Sequence, residues 1–249
     1  MLSRSKASSL GLASLLVIVC AVASVQNGLA QRRINAPPGG QRAVVVDERL
    51  AALRDEPDFS ARLVQRMSRG RMVAILGMRR APSGVTFYRV AVTRRTRGWL
   101  QSEAVVSPTR AGDDERLLRL IRGSEDFDRI VRARIFLDLF ARSPLRPAVL
   151  MLYAEAAEAA ASRLSREAGR RLDEREMAAG GAPRFSYFLN YNGLDRYNRQ
   201  GISFVYDRAA KQFHYDGESW RELVRRYPRS PEAVEARKRL DSLAALIAH

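Results

Sequence analysis

The chain has 249 residues, with 43 Lys and Arg against 27 Asp and Glu, a formal charge of +16, one cysteine and two histidines. A hydrophobic share of 46% is enough for one or two packed domains and excludes wholesale disorder. The scarcity of cysteine and histidine excludes a disulfide-rich scaffold and leaves little for thiol or zinc chemistry.

Arg4 and Lys6 precede an uncharged run from Leu10 to Val25, and Gly28-Leu29-Ala30 follows with small residues at alternate positions. This order predicts a secretory signal peptide over 1–30, and hence an exported protein of the periplasm or cell envelope. The rival is an uncleaved anchor, the one case in which a membrane contact is expected, but the run is shorter than the roughly 20 residues that span a bilayer. Cys20 raises lipidation, although Val19 is bulkier than the residue that normally precedes a lipidated cysteine. Cleavage would leave no thiol in the mature chain. Apart from Lys6, Lys211 and Lys238 the basic residues are arginines, spread along the chain and not gathered in one tract. They predict a solvated basic surface, with an anionic polymer as the rival partner; nucleic acid is not expected for an exported chain.

Residues 31–42 hold Pro37-Pro38-Gly39-Gly40 without apolar periodicity and read as a linker. Over 43–108 short apolar runs (Ala43–Val46, Met72–Leu76, Phe87–Val92, Ala104–Val106) alternate with Gly70, Gly77, Pro82-Ser83-Gly84 and Gly98, which predicts a small all-β barrel or sandwich. Gly70 and Gly98 are expected in turns that need positive φ. Leu53-Arg54-Asp55-Glu56-Pro57, Leu63-Val64, Arg69-Gly70-x-x-Val73, Phe87-Tyr88-Arg89-Val90 and Gly98-Trp99-Leu100 occur in that order over about 60 residues. In order and spacing this segment resembles the bacterial SH3-like domain, apart from a longer loop over Met78–Thr86. The resemblance implies an SH3-like barrel. Arg54, Asp55, Tyr88 and Trp99 are then the candidate lining of a shallow groove for a peptide or a cell-wall glycan. The structural alternative has Trp99 plugging the core and Arg54 paired with Asp55 or Glu56.

Thr109–Gly112 is the expected junction, and 113–249 reads as α-helical. Asp113-Asp114-Glu115 opens a short helix carrying Leu117, Leu118 and Ile121. The next presents Phe127, Val131, Ile135 and Leu139 at spacing four. A long helix is predicted from Pro147 to near Gly180-Gly181, with Gly169 weakening it, and a last one from Pro231, capped by Ser230, carrying Ala233, Ala236, Leu240, Leu243 and Ile247. At an offset of 84 Phe136 overlays Trp220, Leu139 overlays Leu223, Pro144 overlays Pro228 and Pro147 overlays Pro231, so helix, Pro-x-x-Pro corner and helix occur twice. The phrase from Trp220 to Ala233 resembles the tetratricopeptide-like (TPR-like) repeats of exported envelope proteins, which implies a helical hairpin domain that holds a protein partner. Two copies are fewer than a long solenoid needs.

Between the copies, Ile202, Phe204 and Tyr206 alternate, as do Phe213 and Tyr215, which suggests an inserted β-hairpin; a helix through 202–215 is the alternative. Tyr187, Tyr191 and Tyr197, with Phe185 and Phe188, are candidates for a concave partner-binding surface or for core that wedges the helices apart. For catalysis the inventory is poor. A mature chain without Cys20 has no nucleophilic thiol, and His214 and His249 are too few for a zinc amidase. His214 lies in an aromatic alternation without a nucleophile-elbow motif. No catalytic residue, metal or cofactor is therefore expected. The expectation is a non-catalytic envelope protein; the alternatives are a glycan hydrolase using paired carboxylates, which have no fixed sequence spacing, and a basic polyanion binder.

Overall fold

The structure, a computed structural model, describes residues 39–247. The expected signal peptide and most of the linker lie outside these residues. The β region forms one seven-stranded antiparallel sheet: β1 (Gln41–Val45), β2 (Ala52–Arg54), β3 (Leu63–Arg66), β4 (Met72–Arg80), β5 (Thr86–Ala91), β6 (Arg97–Gln101) and β7 (Val105–Val106), in the order β3-β2-β6-β5-β4-β1-β7. No closed barrel forms among the described residues, because β3 and β7 end the order without pairing. Both edges are protected, in different ways. Arg116 covers β7 by donating to the carbonyls of Val105 and Glu103, and β3 carries Arg66 beside the exposed Leu63 and Val64.

Side chains alternate across a strand, so the sheet feeds two cores. Ala43, Val45, Leu53, Val73, Tyr88, Val90, Leu100 and Val105 pack on one face as the sheet's own cluster. Val44, Val46, Met72 and Val106 point the other way and belong to the same cluster as the helices. The junction at Thr109–Gly112 separates two kinds of secondary structure that share a core, and the described residues belong to one compact unit.

Two expectations for the β region change. The segment expected as a long loop is in part strand: β4 runs to Arg80 and pairs Met78 with Tyr88 and Arg80 with Thr86, and a tight turn over Ala81–Val85 closes it with Gly84 at φ 80°. Gly70 has the expected positive φ of 81°, but Gly98 lies within β6. A Cβ at Gly98 would sit 2.5 Å from the Arg54 carbonyl oxygen and 2.9 Å from Leu53 Cγ, so the glycine serves the close approach of β2.

The helical region begins with α1 (Asp113–Arg122) and α2 (Asp126–Leu139). Leu117, Leu118 and Ile121 are buried as expected. On α2 the deep face is Ile130, Ala133 and Phe136, while Phe127, Val131 and Leu139 of the spacing-four stripe are half-buried, because 3.6 residues per turn rotates such a stripe around the helix. The long helix α3 (Arg146–Arg171) stops earlier than expected. Leu172 turns extended, and Asp173 accepts from the Arg175 and Glu176 amides to start the separate α4 (Glu174–Ala179). Then come α5 (Arg184–Leu189), α6 (Asp195–Asn198) and a hairpin of β8 (Phe204–Asp207) and β9 (Gln212–Tyr215), which settles the choice over 202–215. Its turn is fixed by Asp207, whose carboxylate accepts from the Ala209 and Ala210 amides.

The chain ends in α7 (Glu218–Arg226) and α8 (Pro231–Ile247), with the Ser230 hydroxyl accepting from the Ala233 amide. Both expected Pro-x-x-Pro corners turn one helix into the next, and α3 packs against both α2 and α7. The hairpin lies on α3, where the Phe213 amide donates to Ser165 Oγ at 2.8 Å.

Candidate functional site

The four residues expected to line one groove do not converge. In the β5–β6 register Tyr88 faces Leu100 and Arg89 faces Trp99, so Tyr88 and Trp99 project from opposite faces of the sheet. Trp99 is half-buried, opposite Arg54 on β2, while Leu100 is the fully buried neighbour. Trp99 therefore does not plug the core. Arg54 does not pair with Asp55 or Glu56 either: its Nη1 donates to the Ala61 carbonyl at 2.5 Å, and Asp55 accepts from Arg62 Nε at 3.0 Å. Both are committed to holding the 55–62 loop. That loop carries Phe59, whose ring meets Phe87 edge-on at 5.4 Å.

Tyr88 leads to a cleft that the sequence motifs did not mark. It has a volume of about 540 Å³ and lies where the inner face of the sheet runs past its own core and meets the junction. Ile75, Met78 and Tyr88 line its apolar part; Gln41, Thr109 and Arg110 line its polar part. A register shift between Ile75 and Gly77 brings Met78 opposite Tyr88. Arg110 Nη1 donates to the Tyr88 hydroxyl at 2.7 Å, with the guanidinium carbon 5.7 Å from the ring centroid. The polar rim is held from behind by Asp113, which is buried and accepts from the Ser107 amide at 2.8 Å, while the Ser107 hydroxyl donates to the Arg42 carbonyl at 2.7 Å. Met78 is 70% exposed, an apolar side chain at the cleft with little to cover it.

Of the aromatic residues proposed for a partner surface, Tyr191 and Tyr197 are buried. Tyr197 meets Phe127 and Phe204 edge-on at 5.4 and 5.5 Å, and burial pushes the Tyr191 hydroxyl above its ordinary pKa. Tyr197 is core that seats the hairpin on the helices, and Tyr191 reaches the surface only where it lines a shallow depression. Tyr187 is half-buried and borders a shallow depression with Arg171 and Asn190.

A polar seam joins sheet and helices. Arg69 grips Asp128 of α2 through two bonds of 2.6 and 3.0 Å, and this guanidinium holds the Asp128 carboxyl below the usual carboxylate range. Arg132, also on α2, donates to the Val46 carbonyl at 3.1 Å and to Ser124 Oγ at 2.6 Å. Asp47 is held below the ordinary range by its bonds from Arg49. His214 is half-buried on β9, and its Nε2 meets no partner. Among the described residues no group of three His, Cys, Asp or Glu could hold a metal, and no helix is long and apolar enough to cross a membrane. The chain matches no known protein family, no curated protein and no solved structure.

Proposed function

We propose that this chain is an exported, non-catalytic protein of the cell envelope, in which an SH3-like β region binds a peptide or glycan of the cell wall and a TPR-like helical region holds a protein partner. The observation that carries the binding part is the Tyr88–Arg110 cleft: an aromatic ring, an exposed thioether and a guanidinium converge there on a volume suited to a short polar chain. Met78 and the half-buried Ile75 offer apolar contact to a sugar face or a side chain, the largely buried Tyr88 holds Arg110 in place through its hydroxyl, and Arg110, Gln41 and Thr109 offer polar partners. Export and the two module resemblances rest on the sequence motifs. The non-catalytic reading rests on the supply of reactive side chains: Cys20 lies in the leader, and His214 and His249 are the only imidazoles.

Retention of the full chain on purified cell-wall sacculi tests this. Arg110→Ala and Met78→Asp are expected to release the protein, and Trp99→Ala, on the opposite face, to leave retention unchanged. Failure of the unaltered protein to bind, or equal loss with Trp99→Ala, would overturn the assignment of the cleft.

A further inference from the structure

A smaller depression, of about 250 Å³, opens on the seam between sheet and helices and is lined by Arg49, Arg116, Arg119, Leu120, Gly123 and Arg132. Four guanidiniums around so small a volume call for an accounting of their counter-charges. Asp47 accepts from Arg49 at 2.9 and 2.6 Å, Asp113 accepts from Arg116 at 3.3 Å, and Asp128 is taken by Arg69. Asp113 is shared by Arg116 and, at 3.9 Å, Arg110, and Asp128 by Arg69 and Arg132, so arginines outnumber carboxylates here. Arg119 enters no ion pair among the described residues. Arg132 approaches the shared Asp128 only at 3.8 Å.

Arg132 is 6% exposed, and burial pulls its pKa below the ordinary arginine value. Its Nε and Nη1 are used by the Val46 carbonyl and Ser124; Nη2 takes part in neither bond. The backbone nearby does not compete for these donors. The Gly123 amide donates to the Arg119 carbonyl, and the Ser124 hydroxyl donates to that of Leu120. A nearly buried cation without a dedicated partner is costly unless an anion supplies the missing charge.

We infer that this depression is a binding site for a compact dianionic oxyanion, a phosphoryl group, held by Arg119 and Arg132 and flanked by Arg49 and Arg116. Arg119 has no ion pair among the described residues and Arg132 shares Asp128 with Arg69, so the depression carries an excess of positive charge, and the planar forks of the two guanidiniums suit tetrahedral oxygens. The volume admits one such group with its waters. The phosphoryl group is either free phosphate or the headgroup of a phospholipid, and the basic surface raises the local concentration of both.

Calorimetric titration of the full chain with inorganic phosphate at fixed ionic strength tests the site. The expected result is saturable binding that Arg119→Glu weakens by at least about tenfold. Arg132→Gln, checked for native circular dichroism, should do the same. Arg225→Glu, an equal charge change on the exposed side of α7, should leave affinity within about twofold. Absence of saturable binding, or equal weakening by Arg119→Glu and Arg225→Glu, overturns the proposal. Sedimentation with phosphatidylcholine vesicles containing phosphatidic acid separates the sources. Binding that phosphate displaces and Arg119→Glu abolishes assigns a lipid headgroup, whereas calorimetric binding without sedimentation assigns the free anion; each outcome supports the site.

Discussion

Arg132 and Arg146 are both arginines with less than a tenth of their surface in water, and each ties together two parts of the molecule. Arg146, at the start of α3, donates to the Leu137 carbonyl at 2.7 Å and to Glu222 of α7 at 3.0 Å, so it joins the two helix pairs through a directly bonded carboxylate, which Arg226 also contacts at 3.3 Å. Arg132 joins α2 to the sheet through a carbonyl and a hydroxyl, with its nearest carboxylate claimed by Arg69. The difference shows that burial by itself does not make an arginine structural. What matters is whether its counter-charge is built into the chain.

This comparison can be broken by substitution. Arg146→Met removes one side of a largely buried pair and strands the Leu137 carbonyl, and should cost about 2–3 kcal/mol in urea unfolding. Arg132→Met strands the Val46 carbonyl but also removes a buried charge whose nearest carboxylate stands 3.8 Å away and is bonded by Arg69, so its expected cost is about 1 kcal/mol. If Arg132→Met proved the more damaging, the contrast between the two arginines would fail.

The smallest effect is pH-dependent. The Asp128 carboxyl is held below its ordinary value, so the fold favours its ionised form. Its contribution is complete above the unfolded value near 4 and is lost as pH falls through the lowered one. Asp128→Asn should therefore cost stability at neutral pH, by less than about 1 kcal/mol because the side chain is 54% exposed. The gap from the unaltered protein should close between about pH 5 and pH 3 in thermal melts.

The elements that were legible in the sequence are those with a local cause. Short apolar runs bounded by turn residues mark β1, β4, β5 and β7, period-two alternation marks the inserted hairpin, acidic and proline starts mark α1 and α8, and the paired prolines mark both corners. What could not be read there depends on neighbours across the fold. The face that Trp99 takes follows from its register against Arg89, and the cleft at Tyr88 needs the register shift that re-aims Met78. Tyr197 carries the same side chain as a surface tyrosine until Phe204 of the hairpin is laid against it. The end of α3 was misjudged although Asp173 marks it, because the apolar rhythm through Leu172 hides a cap. The arginine-lined depression gathers positions 49, 116, 119 and 132, which no spacing rule connects.

Val44, Val46, Met72 and Val106 give one side of the sheet to the core of the helices. Neither half can therefore be inherited as a detachable cassette. A sheet excised by recombination would carry four greasy side chains into water, and the helices would be left with a matching scar.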